Sequence, residues 1–180
     1  MDSLLGPEMR STGEVMGIDK DFPTAFAKSQ AGSGSALPVS GTVFVSVADR
    51  DKPQLLLPVR RLDQLGYRIL ATDGTALMLA RHGIKAESVI KHSQAKDGET
   101  SIVDMITDGL VDVVVNTPSG ADARVDGYEI RAATTAADKP IFTTVAQLSA
   151  AIGSFEVIRE GPFSVKPLQD YAREREGLLT

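Results

Sequence analysis

The chain has 180 residues, enough for one domain with a sizeable core plus an extension. Its hydrophobic content of 42% and charged content of 24% are typical of a soluble globular protein, and the net charge of -5 argues against general binding to nucleic acid. The absence of cysteine excludes disulfides, thiolate catalysis and cysteine-based zinc sites. That absence also makes the cytoplasm the simplest expectation for its location. We expect no membrane contact, because no stretch approaches the roughly 18–20 apolar residues that span a bilayer, and the first residues lack a signal-peptide pattern.

The first part of the chain differs in composition from the remainder. Residues 19–30 predict a helix that is capped by Asp19 or Asp21. The next stretch, 31–41, is rich in glycine, serine and proline and has almost no charge, which is a linker composition. We therefore predict a domain boundary there, with a leading segment plus linker over 1–38, a compact domain over 41–158 and a C-terminal tail or helix over 159–180.

From residue 42 onward, predicted strands and helices alternate. The predicted strands are 42–47, 67–72, 86–91, 111–117 and 140–144, and 155–160 is a candidate late strand. The last two helices are predicted at 127–139 and 145–153. The unbroken valines of the fourth strand indicate burial on both faces, as in a parallel sheet. The alternation predicts an α/β fold with a three-layer, doubly wound, mostly parallel sheet of about five strands.

Polar residues lie at or just after the carboxyl ends of the first four predicted strands. In an open α/β sheet, ligands bind outside the carboxyl ends of the strands. The residues found there are Lys52, then Thr72, Asp73, Gly74 and Thr75, then Lys91, and finally Asn116, Thr117, Pro118, Ser119 and Gly120. Lysines, hydroxyls and the N–H groups of helix N-termini are all suited to hold phosphate, and a glycine lets the backbone approach closely. The set predicts a pocket for a phosphate-bearing ligand.

Each of these residues also has a simpler interpretation when taken alone. Thr72 or Asp73 could be only a helix N-cap, and Lys52 could be a solvated surface charge. The NTPSG stretch, 116–120, could be only a turn. Their convergence at one edge of the predicted sheet is what favours a ligand site.

The sequence shows no catalytic constellation. The two histidines, His82 and His92, have no metal-binding spacing, and neither a nucleophile elbow nor a phosphate-binding P-loop motif is present. We therefore predict a binding site without catalytic residues, metal or cofactor.

Three motifs resemble one known family. LLGPEMRSTGEVMG, residues 4–17, is very similar to the end of the second ATP-grasp half of the carbamoyl-phosphate synthase large chain. The rest resembles the regulatory domain at the C-terminus of that chain, of the methylglyoxal-synthase-like superfamily, most specifically in TDGT (72–75) and NTPSG (116–120). The resemblance implies that the chain is a piece of a ligase of pyrimidine and arginine biosynthesis. That enzyme uses ATP and magnesium, and its partners are the rest of the large chain and a glutaminase small chain.

The resemblance also implies a nucleotide effector. In the family UMP inhibits, IMP competes for the same pocket in some members, and ornithine activates at a neighbouring interface. The implied phosphate ligands are Lys52, Thr72, Gly74, Thr75 and Lys91, the implied sugar and base ligands are Asn116, Thr117, Ser119 and Gly120, and Thr143 would face ornithine. A homo-oligomer is a further candidate assembly.

The chain departs from the family pattern at three positions, and an alternative function stays open. Asp73 stands where relatives often have histidine, Ile141 where they have tyrosine, and Pro118 where they have threonine. The alternative is a stand-alone lyase of the methylglyoxal-synthase type, acting on dihydroxyacetone phosphate. Glu99 would be its acidic residue, although Asn116 replaces a second carboxylate of that enzyme.

Overall fold

The structure, a computed structural model, describes residues 15–96, 98–117 and 123–177. Within these ranges the chain forms five strands and seven α-helices. Strands β1 to β5 are Thr42–Ser46, Arg68–Ala71, Glu87–Ser88, Val113–Asn116 and Ile141–Phe142. Helices α1 to α7 are Phe22–Gly32, Lys52–Gln64, Asp73–Arg81, Ile102–Thr107, Ala123–Ala136, Val145–Glu160 and Leu168–Gly177.

The described strands form one sheet in the order β3-β2-β1-β4-β5, and all of their pairings are parallel. In the central strand β1, Val43 lies beside Ile69 of β2 and Val113 of β4. The chain builds outward from β1 to β3 and then crosses to β4, so the strand order reverses between β1 and β4. All carboxyl ends of the strands therefore meet at one edge of the sheet, with the reversal point in its middle.

Apolar side chains cover both faces of the sheet, because neighbouring residues of a strand point to opposite sides. Val113 and Val115 belong to the core on which α2, α3 and α6 pack, and Val114 belongs to the core under α4 and α5. Fully burying one such side chain stabilises the fold by roughly 1.5–3 kcal/mol. The three layers confirm the predicted doubly wound α/β fold, and the valine run of β4 is buried on both faces as expected.

Two predicted boundaries on the site side of the sheet need correction. Strand β3 covers Glu87–Ser88 instead of 86–91, so Lys91 lies in the segment after the strand. Helix α5 begins at Ala123 instead of residue 127, which places Gly127 inside the helix.

The candidate late strand at 155–160 is wrong, because these residues continue helix α6 to Glu160. Phe155 of this stretch is fully buried in the helix-covered core. Gly153 does not end the helix as predicted. A Cβ at this position would lie 2.8 Å from Cγ of Pro23, so the glycine allows α1 to pack closely on α6.

Helix α1 packs on α6 as part of the same unit. Of its two candidate caps, Asp21 is the observed one, and its carboxylate accepts a hydrogen bond of 2.9 Å from the N–H of Thr24. The hydroxyl of Ser154 donates to the carbonyl of Pro23 at 2.7 Å. The motif at 4–17 lies largely outside the described residues, so the division into 1–38, 41–158 and 159–180 stays a prediction.

The C-terminal segment contains helix α7. Tyr171 of this helix contacts the N-terminal part of the chain. Nζ of Lys28 donates to the Tyr171 hydroxyl at 3.2 Å and to Asp19 at 2.6 Å. Nζ of Lys166 lies 4.2 Å from the Tyr171 ring centroid, which is cation–π geometry. Neither α7 nor any other helix of the described ranges is both long and apolar enough to cross a membrane.

Candidate functional site

The turn between β2 and α3 holds two buried threonines. Thr72 has an extended backbone (φ -66°, ψ 150°), and α3 begins at the next residue, Asp73. The Thr72 hydroxyl does not cap the helix; it donates to the Thr75 hydroxyl oxygen at 3.3 Å. Thr72 is only 8% exposed and Thr75 only 1%. Capping through the Thr72 side chain therefore does not explain this residue.

The first turn of α3 also offers backbone donors. The N–H groups of Asp73 and Gly74 occupy the first two helical positions, where a helix supplies no acceptor of its own. The helix dipole adds partial positive charge at this end. Such an N-terminus is suited to bind an anion when a second cationic group lies close to it.

Lys52 supplies that cationic group from the start of α2. A Cβ built on Gly74 would lie only 3.3 Å from Nζ of Lys52, so the ammonium lies against the first turn of α3. The Lys52 side chain is mostly buried, and its Nζ lies 2.6 Å from Oδ1 of the exposed Asp49. This hydrogen bond lowers the pKa of Asp49 below its ordinary value. Asp49 is thus the counter-ion that an incoming anion would displace.

The carboxylate of Asp73 is turned toward β3. It accepts a hydrogen bond from the hydroxyl of Ser88, the last residue of that strand. Lys91 follows three residues later, partly buried, directly before a short 3-10 turn. Because β3 is parallel to β2 and pairs with it, Lys91 lies beyond the same edge of the sheet as Thr72.

The end of β4 contributes Asn116 and Thr117, which are 4% and 6% exposed. The Thr117 hydroxyl oxygen accepts a hydrogen bond of 3.0 Å from the N–H of Ala48, so it links β4 to the segment after β1. Oδ1 of Asn116 accepts a hydrogen bond of 3.2 Å from Nη1 of Arg131 on α5. Ser119 and Gly120, which the sequence also assigned to this site, lie outside the described residues.

Arg131 was not among the sequence-predicted site residues. The sequence carried no clear signal for it: the predicted helix begins at Gly127, and only the observed start at Ala123 places this glycine inside the helix, four residues before Arg131.

A cavity of about 240 Å³ opens where the carboxyl ends of β4 and β5 meet the start of α2. Its walls include Arg50, Gln54, Thr117 and Thr143. The N–H and hydroxyl of Thr143 donate to Oε1 of Gln147, at 3.0 and 3.2 Å, and thereby help to begin α6. An ornithine contact of Thr143 stays a prediction.

Glu99, the acidic residue of the lyase alternative, has a local contact. Its exposed carboxylate accepts a hydrogen bond of 3.0 Å from the N–H of Lys96, and its own N–H donates to the carbonyl of Lys96. The described residues include no group of three histidine or carboxylate side chains that could hold a metal ion. The donors gathered around Gly74 are suited to hold an anion, and the Glu99 geometry does not favour the lyase.

Comparison with known proteins gives a consistent result. The family model of the MGS-like domain matches residues 54–143. The chain is 65% identical over 178 residues to the carbamoyl phosphate synthase large chain of Clavibacter sepedonicus, and 64% identical to that of Clavibacter michiganensis. It is 58% identical to the large chain of Beutenbergia cavernae. These alignments cover 98–99% of this chain but only 16–17% of the relatives, so the chain spans about a sixth of their length.

Proposed function

Because the chain belongs to the MGS-like domain family, we propose that it is the effector-binding regulatory domain of a carbamoyl phosphate synthase large chain. The proposed ligand is a nucleoside monophosphate such as UMP, with IMP as the second candidate for the same pocket. The observation that supports this most is the position of the Lys52 ammonium against Gly74, in the first turn of α3.

The phosphate would bind where that ammonium, the N–H groups of the helix start and the hydroxyls of Thr72 and Thr75 converge. Hydrogen bonds between charged donors and phosphate oxygens are about twice as strong as neutral ones. The phosphate would also take over Lys52 from Asp49, whose carboxylate is 93% exposed and returns to water at little cost. Asn116 and Thr117 at the reversal point of the sheet would contact the sugar or base.

Regulation would act through linkage. A ligand that binds one conformation of the whole enzyme more tightly shifts the population toward it, and a coupling of about 1–3 kcal/mol is typical. The catalytic modules, which use ATP and magnesium, and the glutaminase small chain would belong to the complete cytoplasmic enzyme. The chain alone would bind the effector without making carbamoyl phosphate.

Calorimetric titration of the chain with UMP and with uridine tests the proposal. We expect saturable UMP binding and weaker uridine binding, because uridine lacks the phosphate. Lys91→Ala should weaken UMP binding by about tenfold and uridine binding much less, since it removes a phosphate contact. The matched control is Lys85→Ala, an exposed lysine at the opposite, amino end of β3.

Two results would contradict the proposal. Absence of saturable binding at millimolar UMP or IMP would reject the effector role of this chain. Equal losses for UMP and uridine in Lys91→Ala would reject Lys91 as a phosphate ligand.

A further inference from the structure

We propose that Arg131 is a positioning residue for the phosphorylated ligand: it fixes the side-chain amide of Asn116 so that the amide N–H groups face the ligand. The inference deepens the proposed function and rests on it for the identity of the ligand. Its geometric part concerns the hydrogen bond between Nη1 of Arg131 and Oδ1 of Asn116, 3.2 Å long.

The chemistry of the two groups determines the orientation of the amide. A guanidinium carries only donors, whereas an amide has a donor side and an acceptor side. Asn116 therefore turns its oxygen to Arg131 and its Nδ2 to the opposite side of Cγ. Without Arg131, the amide could rotate by half a turn and present its oxygen, which repels the acceptor oxygens of the sugar or base that Asn116 would contact.

The location of Asn116 makes this orientation relevant to a ligand. It is the last residue of β4 and pairs with Ser46, the last residue of β1, at the point where the strand order reverses. Ligands of open α/β sheets bind at this point. Only 4% of Asn116 is exposed, so few water molecules compete for its amide.

Gly127 makes the contact between Arg131 and Asn116 feasible. Side chains of a helix lean toward its N-terminus, so Arg131 reaches back over the turn that holds Gly127. A Cβ at Gly127 would lie 2.9 Å from Nη1 of Arg131 and 3.4 Å from Oδ1 of Asn116. A glycine inside a helix is less favourable than alanine, and this close approach explains why one is present.

Because Arg131 acts through Asn116, the effects of the two side chains should not add. In the otherwise unchanged chain, we expect Arg131→Met to weaken UMP binding by about tenfold. This factor corresponds to a loss of about 1.4 kcal/mol in binding free energy. In the Asn116→Ala background, the same substitution should change the dissociation constant by less than about twofold. An equal loss in both backgrounds would show that Arg131 acts as an independent charge and would overturn the proposal.

Gly127→Ala provides a second route to the same contact, since it displaces Arg131 and leaves both polar side chains present. It should weaken UMP binding as Arg131→Met does, again only while Asn116 is present. Unchanged UMP affinity in both Gly127→Ala and Arg131→Met would overturn the positioning role.

An NMR measurement separates failure of this inference from failure of the proposed function. In the ligand-free chain, Arg131→Met should shift the side-chain amide signals of Asn116. The control Arg60→Met, which removes a surface hydrogen bond to the His82 carbonyl, should leave them in place. If the chain does not bind UMP, the proposed function fails and this measurement decides the role of Arg131. Unshifted Asn116 signals in Arg131→Met would then overturn it.

Discussion

Replacing Gly74 with alanine should stabilise the fold and weaken nucleotide binding at the same time. Gly74 lies in the first turn of α3 and is not among the glycines with positive φ, so alanine fits its backbone. A glycine-to-alanine change at such a site stabilises a protein by about 0.4–1 kcal/mol. For a chain of this size, the melting temperature should rise by about 1–4 °C.

The loss of binding follows from the position of the new methyl group. At 3.3 Å from Nζ of Lys52, it lies closer than almost all ordinary Cβ contacts. It also occupies the space between the Lys52 ammonium and the start of α3, where a phosphate oxygen would bind. The lysine stem is flexible and can withdraw by a few tenths of an ångström, so we expect UMP affinity to fall by about tenfold instead of vanishing.

Thermal unfolding and calorimetry on the same preparations measure both effects. Gly177→Ala at the end of α7 is the matched control. A Cβ at Gly177 would meet no atom within 4 Å, and α7 is far from α3 in the sequence. The control should leave UMP affinity unchanged. A Gly74→Ala chain that is more stable but binds UMP as tightly as the parent would refute the reasoning, because the ligand then does not approach Gly74.

Two further predictions concern the counter-ion of Lys52 and the behaviour of the fold in alkali. Asp49→Asn should tighten UMP binding by about two- to fivefold in calorimetry, because it removes the carboxylate that competes with phosphate for Lys52; weaker binding would contradict this role. Burial raises the pKa of Tyr67 from 10.0 to about 12, so the unfolded chain loses this proton first and stability falls as the pH rises from 10 to about 12. The two pKa units correspond to a loss of up to about 2.7 kcal/mol in the free energy of unfolding. When this free energy is measured by denaturant unfolding at several pH values, Tyr67→Phe should make it fall less steeply between pH 10 and about 12. Equal slopes in both proteins would show that another group is responsible.

The strand and helix pattern was sufficient to predict the fold class. The valines of β4 indicated burial on both faces, and their side chains do alternate between the two cores. The predicted strand lengths were less accurate, because a strand ends where its backbone pairing with the neighbouring strand ends. β3 pairs with β2 only through Glu87 and Ser88, although the apolar pattern continues to Ile90.

Two glycines misled the sequence prediction for the same physical reason. Glycine commonly marks helix boundaries, so the pattern predicts that Gly153 ends one helix and that Gly127 begins another. Both lie inside helices, where the missing Cβ makes room for a neighbour: Pro23 at the first and Arg131 at the second. Such a neighbour is distant in the sequence, or becomes a contact only through helix geometry, so a linear pattern does not reveal it.

The arrangement of residues around the candidate site could be anticipated only in part, and their role as ligands stays a prediction. Parallel strands bring their carboxyl ends together, so the approach of Lys52 to the turn after β2 could be anticipated from the order of elements. The mutual hydrogen bond of Thr72 and Thr75 and the hydrogen bond between Asp73 and Ser88 could not, because they depend on side-chain rotation. The hydrogen bond from Ser88 holds the carboxylate of Asp73, the residue that stands where relatives often have histidine, toward β3.

The most direct test of the central claim is an NMR titration of the chain with UMP, followed through its backbone amide signals. If the phosphate binds at the start of α3, the amide signals of Asp73, Gly74 and Thr75 should shift with a common saturating dissociation constant, and uridine should shift them much less. Signals that stay in place at millimolar UMP, or shifts confined to residues away from this turn, would contradict the account.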